Sequence, residues 1–188
     1  MRFNSVEHVE AYQRFGRFPR IHKPMFEAVI EQARGTRILD VCCSTGLLGE
    51  HFRTLGFDAI GIERDLEAIA AAKDHGVGLP ITAMSIDPST AAEVYKLIEA
   101  AGVTVVVARR CFSEIFCEER DFGPVFCRGI QAAGVDELFL QGRAPTKRAT
   151  HPIPNLDAEI EVCGGAFVER RRWPVGPVAY LTPKEGTG

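Results

Sequence analysis

Two carboxylates and a cluster of small residues hold the chemistry that stands out in this chain. Residues 38 to 49 read Ile-Leu-Asp-Val-Cys-Cys-Ser-Thr-Gly-Leu-Leu-Gly, and a second acid, Glu63, ends the apolar run Ala59 to Ile62. Small side chains at 42 to 46 let a backbone come close to a ligand, and a carboxylate such as Glu63 can accept both hydroxyls of a ribose. Arg109 and Arg110 follow the apolar run Val103 to Ala108. A guanidinium there suits a carboxylate or phosphate. Glu114 and His22 could take a proton from an acceptor, although Glu114 lies in an acidic run with Glu118, Glu119 and Asp121, and His22 lies in a proline-flanked loop.

These residues need elements to hold them. Ile38 to Val41 predicts a first strand and Leu47 to Leu55 the helix after it, with Gly56-Phe57-Asp58 turning into a second strand, Ala59 to Ile62. The helical spacing returns at Leu66 to Ala72 and, behind Ser89 or Thr90 as cap, at Ser89 to Ala101. A third strand is expected over Leu79 to Ile86. Val103 to Ala108 has no polar alternation, which marks a parallel strand buried on both faces. Helical or irregular structure is expected over Cys111 to Ala133, broken at Gly123-Pro124, then a strand at Val135 to Gln141, a loop over 142 to 155, and a helix from Leu156 to Cys163. Ala166 to Trp173 and Val178 to Leu181 are too close for a parallel return, so at least one pairing there is antiparallel. Upstream, helices are expected near residues 5 to 15 and over Met25 to Ala33.

The expected fold is α/β: one Rossmann-like open sheet, mostly parallel, with an antiparallel pair at its C-terminal end and helices on both faces. Residues 1 to 37 form an N-terminal helical segment or lid, 38 to 183 the domain, and 184 to 188 a frayed tail. In such a sheet the strand ends ring one pocket: Asp40 to Gly46, Glu63, Ser85 to Asp87, Arg109 to Glu114, and Gln141 to Arg143.

Composition narrows the partners. At 188 residues, 46% apolar and 25% charged, the chain is an ordinary globular domain. A net charge of -3 is no general nucleic-acid signature. The basic run Arg170 to Arg172 reads as charge protecting a strand edge. Six cysteines lack paired ligand spacing, so no metal site is expected. Reduced thiols, with no apolar leader and no membrane-length run, place the protein in the cytoplasm by expectation.

Leu39-Asp40-Val41-Cys42-Cys43-Ser44-Thr45-Gly46-Leu47-Leu48-Gly49 resembles motif I of the class I S-adenosylmethionine-dependent methyltransferases: acid, apolar, Gly-x-Gly-x-Gly. Gly61-Ile62-Glu63 is similar to their ribose-binding acidic position, and the closing strand pair to their sixth and seventh strands. The resemblance implies S-adenosyl-L-methionine as cofactor, its methionine portion on Asp40, Cys42, Ser44 and Gly46, its ribose on Glu63 and its adenine by Ile86 and Asp87. It also implies that Arg109 to Cys111 face the transferred methyl. Cys42 and Ser44 stand where two of the three glycines usually stand. The implied activity is methyl transfer to an acceptor, small molecule or macromolecule, with Arg109 and the basic Arg17, Arg20 and Lys23 suiting a small anionic one.

Two other readings remain at this level. A regulatory protein could keep the fold and bind the cofactor without transferring a methyl. A nicotinamide-dependent oxidoreductase would also use Glu63, but needs a glycine-rich phosphate turn that Cys42-Cys43-Ser44 does not supply.

Overall fold

A computed structural model describes residues 22–116, 119, 121–142 and 155–185. The expected helix at 5 to 15, Arg17, Arg20 and the loop 143 to 154 lie outside them. The chain runs α1 (Lys23–Gln32), β1 (Arg37–Val41), α2 (Leu47–Thr54), β2 (Asp58–Glu63), α3 (Leu66–Asp74), β3 (Ile81–Ala83) and α4 (Ala91–Ala101). It continues through β4 (Val105–Arg109), α5 (Phe112–Ile115), α6 (Phe122–Ala132), β5 (Glu137–Gln141), α7 (Leu156–Cys163), β6 (Phe167–Trp173) and β7 (Val178–Pro183).

The seven strands form one sheet in the order β3-β2-β1-β4-β5-β7-β6. Strands β1 to β5 are parallel, and β7 runs antiparallel to both β5 and β6. The fold class is therefore as expected. Strand order reverses between β1 and β4, which register Val41 opposite Ala108. This pair defines the switch point, the crevice where such sheets take ligands.

Strand β4 shows why the valine run carries no polar alternation. Val105 and Val107 pack with Met25, Val29, Phe52 and Phe139 on one face, while Val106 and Ala108 pack with Val94, Phe112, Phe126 and Leu138 on the other. Helix α1 is part of the first layer: Met25, Ala28 and Val29 are fully buried in it. Pro24 sits in its first turn, where a missing N–H costs nothing.

Three boundaries differ from expectation. The third strand covers only Ile81–Ala83, because Leu79 folds beneath the β1–α2 loop and a hydrogen-bonded turn takes over at Ser85. Gly123-Pro124 does not break a helix; it lies in the first turn of α6, where proline is tolerated. Strand β4 also extends to Arg109 through its pairing with Gln141.

At the outer edge, β6 carries a bulge between Glu169 and Arg171. Arg171 pairs with Glu31 at 2.5 Å and lies 4.7 Å over the Trp173 ring, and Arg172 pairs with Asp157 at 2.6 Å and Glu169 at 2.7 Å. Arg170 donates to the Thr182 hydroxyl. Bulge and paired charge together protect an edge strand. No helix among the described residues is long and apolar enough to cross a membrane.

Candidate functional site

The β1–α2 loop begins where β1 leaves the sheet. Cys42, Ser44 and Gly46 all adopt left-handed backbone, with φ of 53°, 54° and 72°. A side chain in that region costs roughly 1–2 kcal/mol through its Cβ. The chain thus keeps glycine geometry at two positions that are not glycine, and other contacts must hold it there. Glu63 is one such contact: its Oε2 accepts from the Ser44 N–H at 2.7 Å, across the β1–β2 pair. Cys43 N–H donates to the Ile62 carbonyl and Gly46 N–H to the Cys43 carbonyl.

Glycines here also serve packing. A Cβ at Gly46 or Gly49 would lie 3.0 Å and 2.7 Å from Leu79 carbons, and one at Gly61 would lie 2.5 Å from the Cys43 sulfur. The small residues therefore bring α2, β2 and Leu79 together as well as keeping the loop close to its strand.

Asp40, the acid of β1, is only 2% exposed. The Gly49 N–H lies toward its carboxyl, while Oδ2 has no hydrogen-bond partner among the described residues. Burial pushes its pKa up to about 7, against the pull of Arg109 and the Gly49 amide, with the Glu63 charge adding to the rise. A buried acceptor without a donor is costly, so this oxygen calls for a further donor beyond those described.

Glu63 ends β2, nearly buried. Its Oε1 accepts from Arg64 N–H at 2.8 Å and Asp65 N–H at 2.9 Å, so with Ser44 it already holds three backbone donors. A carboxylate has about four acceptor positions. The remaining one is on Oε2, facing the loop.

Ile86 is buried in the core layer beneath α4. Asp87 beside it organises a turn: its carboxylate accepts from Ser89 Oγ at 2.5 Å, Ser85 Oγ at 2.7 Å, Ser89 N–H at 2.9 Å and Thr90 N–H at 3.2 Å. Those hydroxyls of Ser89 and Ser85 hold it down near a pKa of about 2. Its carboxylate is thus engaged in starting α4.

Arg109 ends β4, half-buried, and its charge acts on Asp40 across the switch point. Arg110 takes a left-handed conformation, φ 58°, and turns the chain into α5. Glu114 lies exposed on α5. His22 is 6% exposed, and its carbonyl accepts from Phe26 N–H at the start of α1. Lys23 pairs with Glu27 on the exposed side of that helix. The structure therefore brings Asp40, Cys42, Ser44, Gly46, Glu63 and Arg109 to one crevice. Glu114 lies on the exposed side of α5, and His22 sits at the start of α1.

Two buried polar side chains, Glu159 and Glu137, carry no expectation from the sequence, and a third, Gln141, is expected at the pocket rim. Glu159 of α7, 1% exposed, accepts from Ser113 N–H at 3.3 Å; its spacing from Leu156 and Cys163 put it on the apolar face, which was the available signal. Gln141 donates to the Gly176 carbonyl at 2.8 Å. Glu137, 4% exposed at the opposite end of the sheet, accepts from Arg34 and Gly35 N–H and from the Tyr180 hydroxyl at 2.9 Å. It directly precedes the apolar run Leu138 to Leu140 and pairs with Val105 in the sheet interior.

No protein-family model and no curated protein matches this chain. Solved structures do. A TehB-like SAM-dependent methyltransferase from Corynebacterium glutamicum aligns with a TM-score of 0.63 at 14% identity, over 96% of this chain and 97% of that one. Magnesium protoporphyrin IX methyltransferase from Synechocystis, with bound SAM, aligns at 0.58 and 12%, over 97% and 99%. The chain has the class I methyltransferase fold. The bifunctional kinase-methyltransferase WbdD aligns as well, at 0.58 and 13% over 87% of this chain, and there this chain spans 37% of the larger protein.

Proposed function

We propose that the protein transfers a methyl group from S-adenosyl-L-methionine to an acceptor. The observation that carries this reading is the left-handed, glycine-like backbone at Cys42, Ser44 and Gly46, set between Asp40 and Glu63 at the switch point. The orphaned Oδ2 of Asp40 fits the cofactor, since it would receive a donor from the methionine portion. Neighbours of the same fold that are named for this cofactor add support.

When bound, the sulfonium supplies an already activated methyl, so the protein's work is alignment and exclusion of water. In this proposal the loop 42–46 holds the methionine portion and Glu63 Oε2 takes one ribose hydroxyl. Ile86 supplies an apolar wall at the adenine. Asp87 contributes through the turn it organises and not through a free carboxylate.

On the acceptor side, Arg109 is the group with reach. With Asp40 held toward its neutral form, the guanidinium keeps net positive charge to pair with an anionic group of a small acceptor. If the acceptor is a hydroxyl or a protonated amine, His22 or Glu114 takes the proton. In this proposal residues 38–183 are the cofactor domain and residues 1–37 its N-terminal segment.

Calorimetry with S-adenosylmethionine and S-adenosylhomocysteine is the first test, and no heat from either at millimolar ligand sinks the proposal. Release of S-adenosylhomocysteine over a panel of small carboxylate and phosphate acceptors is the second. Binding with no turnover on any acceptor would favour the regulatory reading.

A further inference from the structure

Asp40, Glu63, Arg109 and Gln141 stand on one face of the sheet. Gly61, Asp40, Val107 and Phe139 are successive neighbours across β2, β1, β4 and β5. Side chains alternate along a strand with a period of two, so Glu63, Arg109 and Gln141, each two residues further on, share that face with Asp40. Arg109 and Gln141 are direct partners at the ends of β4 and β5. The row therefore runs from the acid proposed for the ribose, through a guanidinium, to an amide.

That amide is only half committed. Gln141 is 1% exposed, and its Nε2 donates to the Gly176 carbonyl at 2.8 Å, in the turn between β6 and β7. A carbonyl can only accept, so the NH2 must face Gly176, and this fixes which amide atom is the oxygen. Oε1 is buried and has no hydrogen-bond partner among the described residues. The turn that holds the amide is itself confined: Gly176 is left-handed, with φ of 76°, and a Cβ there would run into the Pro24 ring of α1. The fold thus uses the NH2 and gains nothing from the oxygen, which it buries at a cost.

We propose that Gln141 Oε1 is a specificity contact for the methyl acceptor, receiving an N–H or O–H from a small molecule whose anionic group pairs with Arg109. This rests on the methyl-transfer reading above. Strand β5 lies between β4 and β7. With Nε2 turned to the β6–β7 turn, Oε1 is the amide atom left for the β4 side, where Arg109 stands. A guanidinium only donates and Oε1 only accepts, so the two groups read opposite features, an anion and a donor. Adjacent strands are about 4.8 Å apart, which lets one small molecule meet both. The substrate class is then a hydroxy or amino derivative of a small carboxylate or phosphate. An analogue with the anion but no donor would seal Oε1 away from water without replacing its hydrogen bond, and sites of that kind reject such analogues strongly. Gln141 moves no proton; it selects and orients.

The test measures calorimetric binding of matched compounds to the full chain loaded with S-adenosylhomocysteine: lactate against propionate, meta-hydroxybenzoate against benzoate, and phosphoethanolamine against ethyl phosphate. The expected result is at least one donor-bearing compound that binds tenfold or more tighter than its partner. Gln141→Met keeps the length and removes the oxygen, and should bring that ratio within about threefold while the Kd of S-adenosylhomocysteine stays within about twofold of wild type. Gln141→Glu also loses the NH2 that holds Gly176 but keeps an acceptor oxygen, so it should retain the preference. Arg109→Gln should weaken both members of the pair and leave their ratio unchanged. Wild-type protein with no donor preference in any pair overturns the proposal, and so does equal loss of the preference in Gln141→Met and Gln141→Glu, which would trace it to the Gly176 bond. Failure of the wild type to bind S-adenosylhomocysteine refutes the cofactor reading, whereas binding of S-adenosylhomocysteine without any donor preference refutes the role of Gln141 alone.

Discussion

Replacing Asp40 by Asn should stabilise the protein while weakening its ligand, and the stabilisation should depend on pH in one direction. An unfolded aspartate titrates near 3.9, and burial lifts the folded group to about 7. Between those values the folded state holds a proton that the unfolded state has lost, so stability falls as pH rises through the window. Each pH unit is worth ~1.4 kcal/mol, and three units give at most ~4 kcal/mol lost by pH 8, an order-of-magnitude figure for so buried a group. Asn removes the ionisation and keeps an oxygen for the Gly49 N–H. Urea unfolding of both proteins from pH 5 to pH 8 measures the effect. The difference should favour Asp40→Asn and grow by up to ~3 kcal/mol between pH 5 and pH 8, while S-adenosylmethionine affinity drops by at least tenfold. A stability difference that does not change with pH would refute the argument, because the carboxyl would then titrate alike in both states.

Glu63→Gln keeps a carbonyl acceptor but loses the charge, so S-adenosylmethionine binding should weaken by more than ~1 kcal/mol; an unchanged calorimetric Kd removes Glu63 from the site. Ser44→Gly relieves left-handed strain of ~1–2 kcal/mol against a glycine entropy cost of ~0.5–1 kcal/mol, so the urea midpoint should rise, and a fall would show that the hydroxyl anchors the loop. Tyr180→Phe deletes the hydroxyl donor to buried Glu137, with an expected loss of ~1–3 kcal/mol. In the wild type, burial and then Glu137 push that phenol up to about 12, and ultraviolet titration at an ordinary tyrosine value would argue that the bond is absent in solution.

Much of the fold was legible because its signals are local. The valine run of β4, the small residues after Asp40 and the proline before α1 each report their own backbone and burial preferences. The short spacing of the last two strands required antiparallel pairing by chain length alone. Leu79 was misread because its destination lies under Gly46, Gly49 and Gly61, which no local pattern reveals. Gly123-Pro124 was misread because a first-turn proline and a helix break look alike until the start of α6 is known. Asp87 matches a position near the adenine, and its carboxylate is engaged by Ser85, Ser89 and Thr90, donors that lie close in sequence but meet it only once the turn before α4 forms.

By itself the sequence determined the succession of elements, the switch-point acids Asp40 and Glu63, and the resemblance that suggested the cofactor. Tertiary structure decided how those groups are spent. It gave Glu63 three backbone donors, left Asp40 with an oxygen unpartnered among the described residues under a raised pKa, and set the Cys111 thiol on the Val41 carbonyl. The division follows from range: backbone preference is written in neighbouring residues, whereas desolvation and hydrogen-bond partnership arise where distant segments pack together.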